Sequence, residues 1–548
     1  MDLIGDLTKL LKRFPLEAQA LLAIARSGLL GPESPQRLFA MGRAVEHYGP
    51  YGAAVSFAAI RQGDRPGVAD DLGTLTFREL DLRSNALANA LVARGVGSGS
   101  GVGIMCRNHR GMLDAMFGTA KAGGRAIFLN TDFAGPQATD VCAREGVELL
   151  IHDEEFAQVL SKVDAPKGRL VAWMEDPDGG ATGTSVESLV TCGDPAPPPA
   201  PRKHGQVVIL TSGTTGAPKG AHREIGWSLV GPGALLSKVP SRQGGAMFIA
   251  PPLFHALGMG TAQLATAMGS TMVMRRNFDP EGMLMAAAQH HCTSLIVVPA
   301  ILNRLLSLGE EQIAQLDLQA LHVILCSGAQ LEGSMATRAL NTFGDIVYNL
   351  YGSTEVAWVT IATPPDLRLA PGTAGKPPLG TTVEVFDDSD RPLPAGVTGR
   401  IFVSNGLEFR GYTGGGGREV VAGLMSTGDV GHFDGDGRLF VDGRGDDMIV
   451  SGGENVYPQE IEDLLASHEA IDEAAAIGVA DDAFGTRLRT FVVLRPGHRL
   501  SADGVRAFVK ENLARYKVPR DVVFVDLLPR NAAGKVLKSQ LSASEANA

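Results

Sequence analysis

The sequence TSGTTGAPKG, Thr211–Gly220, is the stretch of this 548-residue chain that says most about its fold. It comes directly after the apolar run Val207–Leu210, which predicts a buried strand. Its glycines let backbone N–H groups turn toward an anion, its hydroxyl side chains donate hydrogen bonds, and Lys219 adds a positive charge. We therefore expect a phosphate-binding loop that follows a buried strand and precedes a helix.

The spacing of this loop differs from that of a P-loop. A P-loop reads G-x-x-x-x-G-K-[ST], and its last hydroxyl contacts Mg²⁺. Here Gly213 and Gly216 are three positions apart, and Lys219 is followed by Gly220. A P-loop kinase or GTPase is therefore disfavoured, and the alternative at this point is a flexible Gly/Thr surface turn.

Length and composition exclude several other classes of protein. A chain of 548 residues with 44% hydrophobic and 20% charged residues is a globular protein of several domains. The net charge of −11, with no Lys/Arg stripe, argues against a nucleic-acid partner. Five widely spaced cysteines without a C-x-x-C pair predict neither a disulfide framework nor a zinc cluster. A reducing, cytoplasmic compartment fits these cysteines best.

Two apolar segments raise the question of membrane contact. Residues 1–45 form an extension with apolar residues at helical spacing, which predicts a helix packed on its own domain. An interfacial helix touching lipid is the alternative, although a Trp anchor and a dense basic face are missing. Gly244–Met274 carries no Asp, Glu, Lys or Arg, but its prolines and glycines predict a buried strand, turn and helix. We expect at most peripheral membrane contact, through the extension.

The order of strand and helix patterns predicts an α/β fold. Residues 46–200 and 206–363 alternate helical patterns with short apolar runs, which is typical of parallel sheets. Residues 364–443 contain short strands broken by glycines and predict a β-rich subdomain. Residues 448–548 read as a small α+β domain. The prediction is a large N-terminal domain of parallel α/β sheets plus a β-rich subdomain, followed by this small domain.

Four further motifs follow the loop in a fixed order. They are SGAQL (327–331), NLYGSTE (349–355), STGDVG (426–431) and PRNAAGKVLK (529–538). Together with Thr211–Gly220 they resemble the adenylate-forming enzymes, and most closely a bacterial fatty acid–CoA ligase. The resemblance implies ATP, Mg²⁺ and coenzyme A. It also implies two steps, in which a carboxylate and ATP give acyl-AMP and pyrophosphate, and a thiol then displaces AMP.

The resemblance also implies an ATP site built from these motifs. Asn349 would contact the adenine edge, Tyr351 would stack on its face, and Asp429 would bind both ribose hydroxyls. Glu355 would hold Mg²⁺ together with Thr215, because a hard cation prefers oxygen ligands. The remaining nucleotide-binding residues would be Thr211, Ser212, Gly213, Thr214, Gly216, Lys219, Gly328, Ala329, Gln330, Gly352, Ser353, Thr354 and Arg444.

A catalytic lysine would come from the C-terminal domain. Lys535 would bridge the two anionic reactants and offset their repulsion. In the family the C-terminal domain moves between the two steps, about a hinge at 444–447 in which Asp446 holds the hinge position. Ser451, Gly452 and Gly453 would then line the tunnel for the CoA thiol. Arg487, Lys517 and Arg520 are candidates for the CoA phosphates, although solvation at the surface is the expected role of each.

The acid itself would bind beside PPLFHALGMG, Pro251–Gly260. His255 would lie near the carboxylate and act in catalysis, with a hydrogen-bonded structural role as the alternative. Trp227, Met259, Val298 and Pro299 are apolar candidates for the acyl pocket. They favour a medium- to long-chain fatty acid over an amino acid, whose ammonium would need a carboxylate partner.

Several alternatives stay open at this point. The acid could be an aryl or other carboxylate, or the enzyme could load the acyl group onto a carrier protein. A non-catalytic homologue that binds nucleotide or lipid is disfavoured by the intact motif residues. A homodimer is compatible with the sequence.

Overall fold

The computed structural model describes residues 3–29, 31–175, 184–212, 218–223, 230–407, 409–413, 415–444, 449–451, 454–456, 458–481, 485–529 and 538–543. Thr211, Ser212, Lys219 and Arg444 are described by their backbone only.

The helices lie between strands through most of the chain. Within the described ranges they are α1 Leu3–Arg26, α2 Pro35–Gln62, α3 Phe77–Ala93, α4 Arg110–Lys121, α5 Gly135–Glu145, α6 Val186–Cys192, α7 Val230–Leu236, α8 Ala256–Ala267, α9 Pro280–Gln289, α10 Pro299–Leu306, α11 Glu310–Ala314, α12 Gly333–Phe343, α13 Pro364–Leu369, α14 Pro458–Ala466, α15 Ala502–Asn512 and α16 Lys538–Ala543. None of these described helices is long and apolar enough to cross a membrane.

The strands form two large sheets and three smaller ones. They are β1 Pro66–Asp70, β2 Gly73–Thr76, β3 Gly101–Met105, β4 Arg125–Phe128, β5 Val147–Asp153, β6 Arg169–Trp173, β7 Thr184–Ser185, β8 Gln206–Ser212, β9 Pro218–Arg223, β10 Ala246–Ile249, β11 Thr271–Val273, β12 Ser294–Val297, β13 Val323–Ser327, β14 Val347–Ser353, β15 Ala357–Ala362, β16 Thr382–Phe386, β17 Gly399–Ser404, β18 Phe409–Tyr412, β19 Val420–Val421, β20 Leu424–Phe433, β21 Leu439–Arg444, β22 Ile449–Ser451, β23 Glu454–Val456, β24 Ile471–Asp481, β25 Gly485–Leu494 and β26 Asp521–Phe524.

The two large sheets are parallel in the middle and antiparallel at their edges. The first has the order β15-β14-β13-β12-β10-β11-β1-β2, and the second has the order β18-β9-β8-β4-β3-β5-β6-β7. Their central strands are continuous apolar runs such as Ser294–Val297, because helices cover both faces. The third sheet, β16-β17-β20-β19 with β21 on β20, is antiparallel. The predicted α/β fold class, with a β-rich part and an α+β C-terminal domain, is confirmed.

The sheets divide the chain differently from the predicted subdomain ranges. Strands β8 and β9 pair beside β4, so residues 206–223 belong to the second sheet with residues 101–185. Strands β1 and β2 pair beside β11 in the first sheet. The local sequence pattern predicts where a strand lies but not which strand it pairs with. The predicted ranges 46–200 and 206–363 therefore differ from the observed sheets.

The uncharged segment Gly244–Met274 contributes a strand, a helix and another strand to the first sheet and its cover, as expected. The five cysteines are free, and four of them are buried. The predicted absence of disulfide bonds is therefore confirmed.

The N-terminal extension is helical and packs on the protein. Helix α1 lies against α7, and Ala20 and Ile24 of α1 are buried. At the crossing, a Cβ added to Gly233 would lie 2.6 Å from the Cβ of Ala20, so only a glycine permits this approach. In the part of α1 whose side chains the structure describes, the helix therefore packs on the protein, as predicted for a helix packed on its own domain.

A larger residue at this crossing should loosen α1. Gly233→Leu must overpack the contact with Ala20, which typically costs about 1–3 kcal/mol. We expect a lower denaturation midpoint and faster tryptic cleavage near Arg26. Gly42→Leu is the matched control, because an added Cβ there meets nothing within 4 Å in a helix. Equal destabilisation by the two variants would contradict the proposed crossing.

Candidate active site

A cavity of about 1260 Å³ lies where the carboxyl ends of parallel strands from both large sheets meet the C-terminal domain. Strands β4, β8, β13 and β14 contribute residues from their carboxyl ends. Ile449, Glu454 and Thr486 line it from the C-terminal side. Ligands of open α/β sheets bind outside the carboxyl ends of strands, so this is the expected place for a site.

The segment predicted to lie against adenine lines this cavity. Ser327 ends β13, and Gly328 follows it with φ +91°, a left-handed conformation that suits glycine. The chain therefore turns at once, and Ala329 and Gln330 also line the cavity. This is the placement that the SGAQL motif predicts, and its binding role stays a prediction.

The second motif lies beside it on β14. Asn349, Tyr351, Gly352, Ser353 and Thr354 all line the cavity. The buried Asn349 side chain donates to the backbone oxygen of Thr373 at 3.4 Å. A Cβ on Gly352 would lie 1.9 Å from the backbone oxygen of Ala357, so β15 fixes this position as glycine.

The predicted ribose and adenine residues are joined to each other. The Tyr351 hydroxyl donates a hydrogen bond to the Asp429 carboxylate, although the motifs are 78 positions apart. Asp429 lies on β20 and pairs directly with Arg444 of β21 across the ladder. The structure thus brings Tyr351, Asp429 and the backbone of Arg444 together, and their roles in binding stay predictions; the Arg444 side chain lies outside the description.

Glu355 is the carboxylate predicted to hold Mg²⁺. It is buried, and its oxygens accept hydrogen bonds from Tyr412 at 2.8 Å and Ser353 at 3.0 Å. The Arg418 guanidinium lies 3.6 Å away. A carboxylate has about four lone-pair sites, so these bonds leave capacity for a cation. An oxygen donor in a polar pocket fits Mg²⁺.

The phosphate loop connects two antiparallel strands. Thr211 pairs with Lys219 and Ser212 pairs with Pro218, so β8 and β9 form a hairpin. The prediction that a helix follows the loop is therefore wrong, because the chain returns along the sheet. Residues Gly213, Thr214, Thr215 and Gly216 lie outside the described residues.

The hairpin is connected to Glu355 through one strand. Strand β18 pairs with β9, with Tyr412 opposite Ala221. The hydroxyl of the same Tyr412 donates to Glu355. The base of the phosphate loop and the predicted metal ligand therefore share a structural support.

The two domains meet at His255, which precedes α8. Its Nε2 lies 2.8 Å from an oxygen of Glu454 on β23. Burial opposes a charge on this imidazole, but the charge and hydrogen bond of Glu454, and the charge of Asp132, outweigh it and raise the pKa of His255. Burial and the charge of Glu454 likewise raise the pKa of Asp132. The site thus favours a protonated histidine paired with Glu454.

The C-terminal domain is docked by further contacts near this pair. Ala514 is fully buried among apolar residues of the second sheet. Arg515 donates its backbone N–H to the backbone oxygen of Asp132 at 3.1 Å. Lys517, considered for the CoA phosphates or a solvated surface, is fully buried and ion-paired with Glu460. Both interpretations of Lys517 are therefore wrong.

Some of the other residues predicted in the C-terminal domain lie within the described residues, and the rest do not. Ser451 ends β22 beside cavity residue Val450. Arg487 is paired with Asp521 at 3.0 Å, and Arg520 lies 3.7 Å from Asp481. Lys535, Asp446, Gly452 and Gly453 lie outside the described residues.

The acyl end of the cavity is apolar and is called the acyl chamber here. It is lined by Tyr51, Phe128, Leu235, Leu257, Met259 and Gly260. Of the predicted pocket residues, Met259, Val298 and Pro299 line the cavity, and Trp227 lies outside the described residues. Tyr51, Phe128 and Leu235 were not predicted from the sequence, and Glu454 was expected only as part of a loop facing the site, not as the partner of His255. An apolar residue in a strand or helix carries no local signal that it faces a cavity, and Glu454 reads as an ordinary loop carboxylate.

Comparison with family models now adds to this geometry. Residues 56–413 match the AMP-binding enzyme model, and residues 460–535 match the AMP-binding enzyme C-terminal domain model. The chain belongs to the AMP-binding enzyme family. Its relatives are AMP-forming acid–thiol ligases, so the predicted family and enzyme class are confirmed, as are ATP, Mg²⁺ and coenzyme A as the ligands such CoA ligases use.

Individual relatives cover almost the whole chain. A feruloyl-CoA synthase of Amycolatopsis sp is 34% identical over 479 residues, covering 85% of this chain and 93% of that protein. The fatty acid–[acyl-carrier-protein] ligase ScoC of Streptomyces coeruleorubidus is 30% identical over 500 residues, covering 89% and 94%. The o-succinylbenzoate CoA synthetase of Bacillus subtilis, bound with a product analogue, superposes with a TM-score of 0.78 at 25% identity, covering 89% and 98%.

Removing the charge of Glu454 should lower the pKa of His255. With Glu454→Gln the imidazole loses its ionic partner while an oxygen remains in place. The raised pKa means that the ion pair contributes to docking at low pH and is lost as pH rises through that pKa. Titration of the His255 ring by NMR, assigned with His255→Gln, measures it. An unchanged titration midpoint would contradict the ion pair.

Proposed function

We propose that this ligase joins a carboxylic acid with an uncharged, apolar tail to coenzyme A, and that aryl-substituted acids are its preferred class. The observation that carries the proposal is the continuous cavity. Its lining includes Tyr351 and Asp429, Glu355, the acyl chamber, and the His255–Glu454 pair. A nucleotide, a carboxylate and a thiol can thus meet in one space.

The acid class is inferred from the chamber and the relatives. The six residues that define the acyl chamber carry no charge, which favours an apolar tail. One relative is named for the feruloyl group, whose tail carries an aromatic ring and no carboxylate. A flat ring fits an apolar chamber through area burial and ring stacking on Tyr51 or Phe128.

A medium- to long-chain fatty acid is the second candidate. It is favoured by the open space beside Gly260, where an added Cβ would meet nothing within 4 Å. ScoC, which is named as a fatty acid ligase, covers the chain as fully as the feruloyl-CoA synthase does. The name of ScoC gives a carrier protein as the acyl acceptor, so the test of the acid must also identify the acceptor.

The first step would use the nucleotide end of the cavity. A carboxylate oxygen attacks the α-phosphorus, the bond to the bridging oxygen breaks, and pyrophosphate leaves. Mg²⁺ held by Glu355 and Thr215 would supply positive charge to the phosphates. Asp429 and Tyr351 would orient the nucleoside, and Lys535 would bridge the reacting oxygens.

The second step would use the docked C-terminal domain. The thiol sulfur attacks the acyl carbon, AMP leaves with the C–O bond electrons, and the thiol proton must go to a base or solvent. The His255–Glu454 pair lines this side of the cavity and would orient the incoming thiol. Ser451, Gly452 and Gly453 precede Glu454 and would form the tunnel wall.

A panel of acids tests the proposal. Pyrophosphate release should be fastest with ferulate-type acids, slower with saturated acids of graded length, and absent with amino acids. Acyl-CoA should appear at the same rate when CoA is present. Preference for saturated acids would favour the second candidate. Release without CoA consumption would favour a carrier-protein acceptor, and no release with any acid would overturn the proposed function.

Lys535→Ala should separate the two steps. Loss of the bridging charge should lower adenylation by roughly 10²–10³-fold, the usual size for one electrostatic donor at a transition state. Thioester formation from supplied acyl-AMP should change little, because that step does not bring two anions together. Lys510→Ala, at an exposed position of α15 that does not line the cavity, is the matched control and should leave both steps unchanged. Equal loss of both steps with Lys535→Ala would contradict this assignment.

A further inference from the structure

Residues before position 56, where the family match begins, contribute to the cavity lining next to a break in helix α2. At Gly49 the backbone has φ +68° and ψ −179°, and Pro50 follows, so the helix is interrupted there. The Tyr48 hydroxyl donates to the backbone oxygen of Pro198 at 2.7 Å and anchors the turn. Tyr51 is the next residue after this break, and it lines the cavity.

The position of Tyr51 is fixed by tight packing on its other side. A Cβ on Gly52 would lie 3.3 Å from the backbone of Ala120 and of Lys121 in α4. Helix α2 also packs on α8, which carries Met259 and Gly260. Tyr51 is half-buried and packs against the apolar core that includes these neighbours. The Tyr51 ring is therefore held by its neighbours as part of the cavity wall.

Helix α1 supports a second part of the same wall. Its crossing with α7 at Ala20 and Gly233 fixes α7. Leu235, two residues further on, lines the cavity. The structure therefore places both N-terminal helices behind the acyl chamber, although residues 1–55 lie outside the matched family regions.

The chamber keeps open space at one position of α8. A Cβ on Gly258 would lie 2.2 Å from the backbone oxygen of Pro252, so this glycine serves packing. Two residues later, a Cβ on Gly260 would meet no heavy atom within 4 Å. Gly260 lines the cavity, so the missing side chain leaves room for a ligand.

From these observations we infer that the N-terminal helices form the specificity wall of the acyl chamber. Tyr51 and Leu235 set its limit, and the space beside Gly260 sets the size of tail that it accepts. The inference rests on the proposed function and adds that the residues before position 56 take part in choosing the acid. Bulky apolar tails, whether aryl or branched, are the class that such a space admits.

Two opposite substitutions test the wall. Gly260→Leu adds a side chain to open space and should lower kcat/KM for bulky acids roughly tenfold or more relative to a short acid such as butyrate. Tyr51→Ala removes a ring and should shift the same ratio the other way, toward tails larger than the wild type accepts. Pyrophosphate release with the acid panel gives the ratios, and thermal unfolding shows that each variant folds.

The controls separate the inference from the proposed function. Gly42→Leu makes the same change at an open helical position that does not line the cavity, and should leave the ratios unchanged. Ratios unaffected by Tyr51→Ala in active enzyme would overturn the inference, whatever Gly260→Leu does, and would leave the proposed function standing. A wild-type protein that activates no acid would instead overturn the proposed function.

Discussion

Docking of the C-terminal domain on the second sheet is the constraint that gives the site its closed form. Ala514 is buried among residues of the other domain, and the buried Lys517–Glu460 pair lies beside it. A buried ion pair is costly unless it is well satisfied, and this one lies within the C-terminal domain. Its Glu460 also accepts a hydrogen bond from the Gln137 side chain of the large domain at 3.5 Å, so the pair orders the face that docks. The same docking brings Glu454 to His255 and closes the cavity at the thiol side.

Much of the nucleotide end could be predicted from the sequence, because its motifs are local. SGAQL begins at the carboxyl end of β13 and NLYGSTE lies along β14, and a residue at the carboxyl end of a parallel strand has a defined place in an open sheet. Asp429 and Arg444 lie in adjacent antiparallel strands, and the ladder brings them together. The roles of these residues in binding remain predictions, but their shared position is a matter of strand geometry.

The features that the sequence did not predict arise from contacts between residues far apart in the chain. His255 and Glu454 are 199 residues apart, and nothing in either local sequence marks the other as a partner. The helix expected after the phosphate loop is a strand, because β9 finds partners in β8 and in β18 from residues 409–412. Lys517 was misjudged because lysines are mostly exposed, and its partner Glu460, 57 positions away in the same domain, is not marked by the local sequence. The acid class was left open for the same reason, since the wall of the acyl chamber is assembled from separate elements.

The support shared by the phosphate loop and Glu355 has a mechanical consequence. Tyr412 belongs to a strand hydrogen-bonded to the loop hairpin, and its hydroxyl is bonded to the carboxylate. Because β18 is hydrogen-bonded to β9 and carries Tyr412, a displacement of β9 would also displace the Tyr412 hydroxyl. The β8–β9 hairpin and Glu355 are therefore connected through one strand, and a shift of the hairpin would change the hydrogen bond between Tyr412 and Glu355.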